Sequence, residues 1–105
     1  MIKILPIRSV INPDTDDFEM WAKNNEHDLH GASVEAANVL ALTPSIKSVT
    51  VASFEWEDEV YADMTINRAE AIEHLNNAID YYVETELYEF AAYAKSILNI
   101  LNKEI

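Results

Sequence analysis

The chain has 105 residues, half of them apolar, with nineteen acidic residues against seven basic ones and a formal charge of −12. That length and apolar content suit a single domain over residues 1–105 with one core, and the charge argues against binding nucleic acid or an anionic membrane through phosphate groups. The absence of cysteine excludes disulfide staples, thiolate zinc sites and a cysteine nucleophile together.

No stretch approaches the roughly 20 apolar residues that span a bilayer, and the N-terminal apolar run is too short and interrupted for a signal peptide. A soluble, cytoplasmic chain is therefore expected. Residues 2–11 are rich in Ile, Leu and Val and read as a first strand. Pro6 lacks an amide donor, so the strand sits at a sheet edge or is interrupted there, and Asn12-Pro13 closes it with turn chemistry. Asp14 or Thr15 can cap a short helix to about Asn24, with Phe18 and Trp21 as an apolar i, i+3 pair and Asp16, Asp17 and Glu19 at its positive end. Residues 24–31 are polar and hold the only glycine, Gly31, so a loop is expected there. Ser33 then caps a second short helix on which Ala36, Ala37, Leu40 and Ala41 share a small-residue face, and Thr43-Pro44 ends it.

From Ile46 the period changes to two. Val49 and Val51, and later Val60, Ala62, Met64 and Ile66, alternate with polar or boundary residues as in two strands of a hairpin. Phe54 and Trp56 are out of phase with Val49 and Val51, which predicts a bulge or a twist near Ala52 and Ser53. The turn at Glu57-Asp58 lacks glycine, which favours a four- or five-residue loop.

Residues 67–105 contain neither Gly nor Pro. Asn67 and Glu70 have capping-box spacing, and Ile72, Leu75, Ile79, Tyr82 and Val83 fall on one helical face. Leu87, Phe90, Ala94, Ile97, Leu98 and Leu101 continue the apolar set, but Glu86 would land among them in an unbroken helix. One helix over residues 67–102 would also be about 50 Å long, beyond the diameter of a compact domain of this size. Two helices joined by a tight turn around Thr85 are expected, with a single long helix as the alternative. The order is then β-α-α-β-β-α-α, and the economical assembly is α+β: a three-stranded antiparallel sheet packed by the C-terminal helices, with Leu75, Ile79 and Leu98 in the core.

Glu26, His27, Asp28 and His30 put two imidazoles and two carboxylates within one short segment, a ligand set that suits zinc or nickel. No His-Glu-x-x-His motif is present, and such a pair in a polar loop is ordinarily loop composition, so no metal or other cofactor is assigned. There is no G-x-S-x-G, no glycine-rich phosphate loop and no nucleophile trio, which points to a binding protein rather than an enzyme.

Two acidic features stand out. At the hairpin tip, Glu55, Glu57, Asp58, Glu59 and Asp63 are interleaved with Phe54, Trp56 and Tyr61. Such charges ordinarily protect a strand edge, yet a Trp among glutamates is also what an interface anchor looks like. On the first C-terminal helix, Glu70, Glu73, Asp80 and Glu84 lie opposite the apolar face over about 21 Å. That is an ordinary solvent face, or a rigid array of carboxylates at multiples of the ~3.4 Å charge rise per DNA strand. Arg68 is the only basic residue from there to Lys95.

The functional expectation, resting on charge and size and on no family motif, is a small acidic inhibitor that occupies a basic surface of a partner protein, one that binds nucleic acid. A DNA mimic of the phage or mobile-element counter-defence type has this character, as does an immunity protein against a basic nuclease toxin. The alternatives are a metal- or ligand-binding domain built on His27 and His30, and a homodimer through the C-terminal helices, where Tyr81, Tyr82, Tyr88, Phe90 and Tyr93 exceed what one helical face needs.

Overall fold

The computed structural model describes residues 6–103, and the elements run β1 (Ile7–Val10), α1 (Phe18–Asn24), α2 (Glu26–Leu42), β2 (Ser48–Trp56), β3 (Glu59–Asn67), α3 (Arg68–Glu84) and α4 (Tyr88–Lys103). The order and the α+β class match the expectation. Residues 2–5 of the expected first strand lie outside the described residues.

The sheet is mixed rather than wholly antiparallel. β2 is central, paired with β3 antiparallel and with β1 parallel. A crossover carrying two helices separates β1 from β2, and a connection of that length brings the chain back in the same direction. The β2–β3 ladder shifts register between Thr50 and Ala52, leaving Val51 unopposed, and again between Phe54 and Glu55, leaving Tyr61 unopposed. The bulge therefore lies one residue before the expected place. Val51, Ala52, Ser53 and Phe54 are buried in succession, so the middle of β2 is covered on both faces.

One cover is α2, which is far longer than expected. It begins at Glu26 and runs through the segment read as a loop, so Gly31 is helical and buried, and Ser33 is a buried interior residue rather than a cap. The polar residues Glu26, His27 and Asp28 form an exposed first turn, where carboxylates favour the positive helix end. Locally those residues look like a loop; burial of the next turns against other elements makes them a helix. Ala32, Ala36, Ala37, Leu40 and Ala41 are buried where α2 packs on β2, α3 and α4. The sheet is thus covered chiefly by α2, and the C-terminal helices pack on α2 and on each other, whereas the expectation packed them on the sheet. A second cluster joins Ile11, Ala52 and Phe54 to Trp21 of α1. The rings of Phe18 and Trp21 meet Phe54 edge-on at 5.1 and 4.8 Å. The cap of α1 is Asp17, which accepts from the Glu19 amide, while Asp14 and Asp16 belong to the preceding Asn12 turn.

α3 starts with the expected capping box: Asn67 accepts from the Glu70 amide and Glu70 from the Asn67 amide, each at 2.9 Å. It ends at the expected break. The Leu87 amide donates to the Tyr82 carbonyl at 2.7 Å and the Glu86 amide to the Val83 carbonyl at 3.1 Å, the paired bonds of a Schellman stop. Glu86 takes the left-handed position at φ 61°, where glycine is usual. The core face of α3 is Ala71, Leu75, Ala78 and Tyr82. Leu75 is fully buried, Ile79 and Leu98 are only partly buried, and Val83, a further 100° round the helix, is 47 % exposed.

Candidate partner-binding surface and groove

The hairpin tip carries the first set of sequence-predicted residues. Glu57 and Asp58 form a two-residue turn, with Trp56 paired to Glu59, rather than the longer loop expected. Their φ values of 52° and 63° put both in the left-handed region that a type I′ turn requires to match strand twist. Glycine would reach this geometry without the roughly 1–2 kcal/mol per residue that a Cβ brings. Trp56, Glu57, Asp58, Glu59 and Asp63 are exposed and Glu55 is half-buried. Trp56 is 37 % exposed and Val60 52 % exposed, so the tip presents apolar surface among its charges. Asp63 accepts from the Ser53 hydroxyl at 2.8 Å, and the Tyr61 hydroxyl donates to the Ile11 carbonyl at 2.8 Å. The first bond joins β2 to β3 below the tip, and the second ties β3 to the residue that follows β1.

The second set lies on α3. Glu73, Asp80 and Glu84 are exposed on one side of the helix, as expected. Glu70 is also exposed, but its carboxylate closes the capping box, so its first role is structural. Among the described residues, none of Glu57, Asp58, Glu59, Glu73, Asp80 and Glu84 is paired with a lysine or arginine. Arg68 does not neutralise the helix face with its whole fork: its guanidinium donates to the Thr43 and Ile46 carbonyls at 3.1 and 3.2 Å, fastening the α2–β2 connection.

A third feature was not anticipated. Between α2, the end of α3 and the start of α4 lies a groove of about 370 Å³. His27, Gly31, Val34 and Glu35 line it from α2, Tyr82 from α3, and Glu89, Phe90 and Tyr93 from α4. Gly31, with no side chain, leaves its floor open. Tyr82 and Phe90 lie 5.5 Å apart, and the His27 ring is 6.5 and 6.4 Å from them. Burial, then Tyr81 and Glu35, push the Tyr82 hydroxyl pKa up; burial and then Glu35 do the same for Tyr93. The only sequence signal for this site was the surplus of aromatic residues between positions 81 and 93.

The histidines serve this aromatic packing. The His30 ring stacks on Tyr81 at 4.5 Å and 26°, and His27 Nδ1 lies 3.5 Å from the Tyr81 hydroxyl, the outer limit of a hydrogen bond. His30 Nε2 is 3.9 Å from Glu26. Among the described residues, no group of three or more His, Asp or Glu is placed to hold a metal ion. Tyr81, Tyr82 and Phe90 are engaged here, which leaves Tyr88 and Tyr93 as the exposed aromatics of the C-terminal helices. No described helix is long and apolar enough to cross a membrane. No protein-family model, curated protein or solved structure matches the chain.

Proposed function

We propose that the protein binds the basic surface of a partner protein, of the kind that handles nucleic acid, and acts by occupying it. One observation carries this reading: six exposed carboxylates on two consecutive elements, Glu57, Asp58 and Glu59 at the hairpin tip with Glu73, Asp80 and Glu84 on α3, have no lysine or arginine partner among the described residues. Like charges held unpaired on a folded surface repel one another. A cationic partner relieves that repulsion, and the complementary fields raise the rate of encounter. Trp56, 37 % exposed at the tip, supplies the aromatic surface whose burial slows dissociation.

Counter-defence against a nucleic-acid-binding complex and immunity against a basic nuclease toxin both fall within this class, and the identity of the partner separates them. The test is affinity capture from the native cell at low and moderate salt, with the parent and with a variant in which Glu57, Asp58, Glu73 and Asp80 are reversed to Lys. A basic protein retained by the parent and lost by the folded reversal variant supports the proposal. Equal retention by both contradicts it.

A further inference from the structure

We propose that the groove between α2, α3 and α4 receives an arginine side chain of that basic partner. The inference rests on the reading of the protein as a binder of basic surfaces, and adds the place where one cation is held. The cavity, about 370 Å³, is at the small end of the ~300–1,000 Å³ range of ligand sites. That volume suits a single extended side chain with some water.

Its walls determine the chemistry. Tyr82, Phe90 and His27 form a corner of rings with centroids 5.5 to 6.5 Å apart, and aromatic faces attract cations. Glu35 and Glu89 add two carboxylates to the lining, and among the described residues no lysine or arginine lines the groove to neutralise them. An anion is therefore excluded. Tyr82 supplies an independent pointer to a ligand. The residue is only 4 % exposed, yet its hydroxyl makes no hydrogen bond to any described residue. Among the described residues no fully buried side-chain polar atom lacks a partner, so this oxygen keeps access to the open space of the groove that the residue lines.

A purely apolar occupant would strip water from the Tyr82 hydroxyl, and from the Glu35 carboxylate beyond its hydrogen bond with Tyr93, without replacing it. Arginine meets each demand at once. Its aliphatic stem covers Val34 and Phe90, its weakly hydrated planar head stacks on a ring, and its fork of donors reaches a carboxylate and a phenol oxygen together. Lysine offers a compact, strongly hydrated charge that stacks poorly.

The experiment is an amide NMR titration of the whole chain with Nα-acetyl-arginine N-methylamide, with its neutral isostere, Nα-acetyl-citrulline N-methylamide, and with Nα-acetyl-lysine N-methylamide. The arginine probe is expected to saturate shifts at Gly31, Tyr82 and Phe90, with affinity about tenfold or more above the citrulline probe. Glu35→Gln should weaken the arginine probe by about fivefold and leave the citrulline probe unchanged. Tyr82→Phe, which keeps the ring, should act in the same direction. The parent alone decides if a variant fails to fold: equal affinity for the two probes, no shifts in the groove, or tighter binding of the matching lysine probe overturns the inference. The charge-reversal variant at Glu57, Asp58, Glu73 and Asp80 should still bind the arginine probe in the groove. Loss of probe binding in a parent whose partner capture still depends on those four carboxylates would reject the groove and leave the acidic-surface reading standing.

Discussion

The hairpin tip and the groove use the same residue types, carboxylates among aromatics, in opposite shapes. At the tip, Trp56, Val60 and Tyr61 ride on a two-stranded ribbon and remain exposed, with a turn of two left-handed residues at its end. In the groove, Tyr82 is buried on a helix whose next core positions are Ala78 and Leu75. Folding has already buried most of the apolar area behind the groove, whereas at the tip that burial is left to a partner. Truncating an exposed apolar side chain at the tip should therefore change binding and leave stability alone, and substitutions beneath the groove should change stability first.

The largest expected effect tests that division. Leu75→Ala or Leu40→Ala, both at fully buried positions, should destabilise the protein by about 2–5 kcal/mol, transfer and cavity terms together. Trp56→Ala should stay within about 0.5 kcal/mol, the range of ordinary surface changes. Urea denaturation of the three variants gives the comparison, and a loss at Trp56 as large as at Leu75 would mean that the tip is part of the folding core.

Next come the left-handed positions. Glu86→Gly and Asp58→Gly remove a Cβ from backbone at φ 61° and 63°, and each should stabilise by about 1 kcal/mol after the extra chain entropy of glycine is offset. Destabilisation by either, read as a lower thermal midpoint, would show that the turn geometry is wrong. A smaller loss, about 0.3–1.5 kcal/mol, is expected for Glu70→Ala, because its carboxylate closes the α3 capping box. Glu73→Ala, on the same face without that bond, should be neutral for folding, and the pair of midpoints separates cap from surface.

The smallest effect concerns pH. Burial lowers the His30 pKa from its ordinary 6.5; Glu26 opposes the shift, and His74 and His27 add to it. Below that value the unfolded chain takes up the proton more readily than the folded one, so stability is full above pH 6.5 and declines as pH falls toward the folded value. His30→Gln should remove this part of the decline below pH 6.5. An unchanged pH profile in the variant would mean that His30 titrates freely despite its stacking on Tyr81.

Much of the chain was legible because its signals are local. The Asn67–Glu70 capping box, the stop at Thr43-Pro44 and the break near Thr85 are written in a few neighbouring residues, and each is where the chemistry places it. α2 was not legible at its start, because Gly31 and the polar residues before it carry loop signals that only packing against β2, α3 and α4 overrides. The parallel placement of β1 and the two-residue turn at Glu57-Asp58 depend on partners across the sheet. The groove escaped for a related reason: Glu35, Tyr82 and Phe90 lie on three helices, and no spacing along the chain brings them together. The acidic residues at the tip and on α3 were found because charge on an amphipathic helix or a turn is predictable, although the structural duty of Glu70 separates it from the others.

The most direct test of long-range action by the carboxylates is the salt dependence of the association rate with the captured partner, for the parent and for the variant reversed at Glu57, Asp58, Glu73 and Asp80. Association of the parent should slow steeply as salt shortens the screening length to about 8 Å at physiological strength. Reversal should slow it further and flatten the salt dependence, while Trp56→Ala should act on dissociation. Association rates indifferent both to salt and to the four reversals would contradict the proposed mechanism, even with a genuine complex in hand.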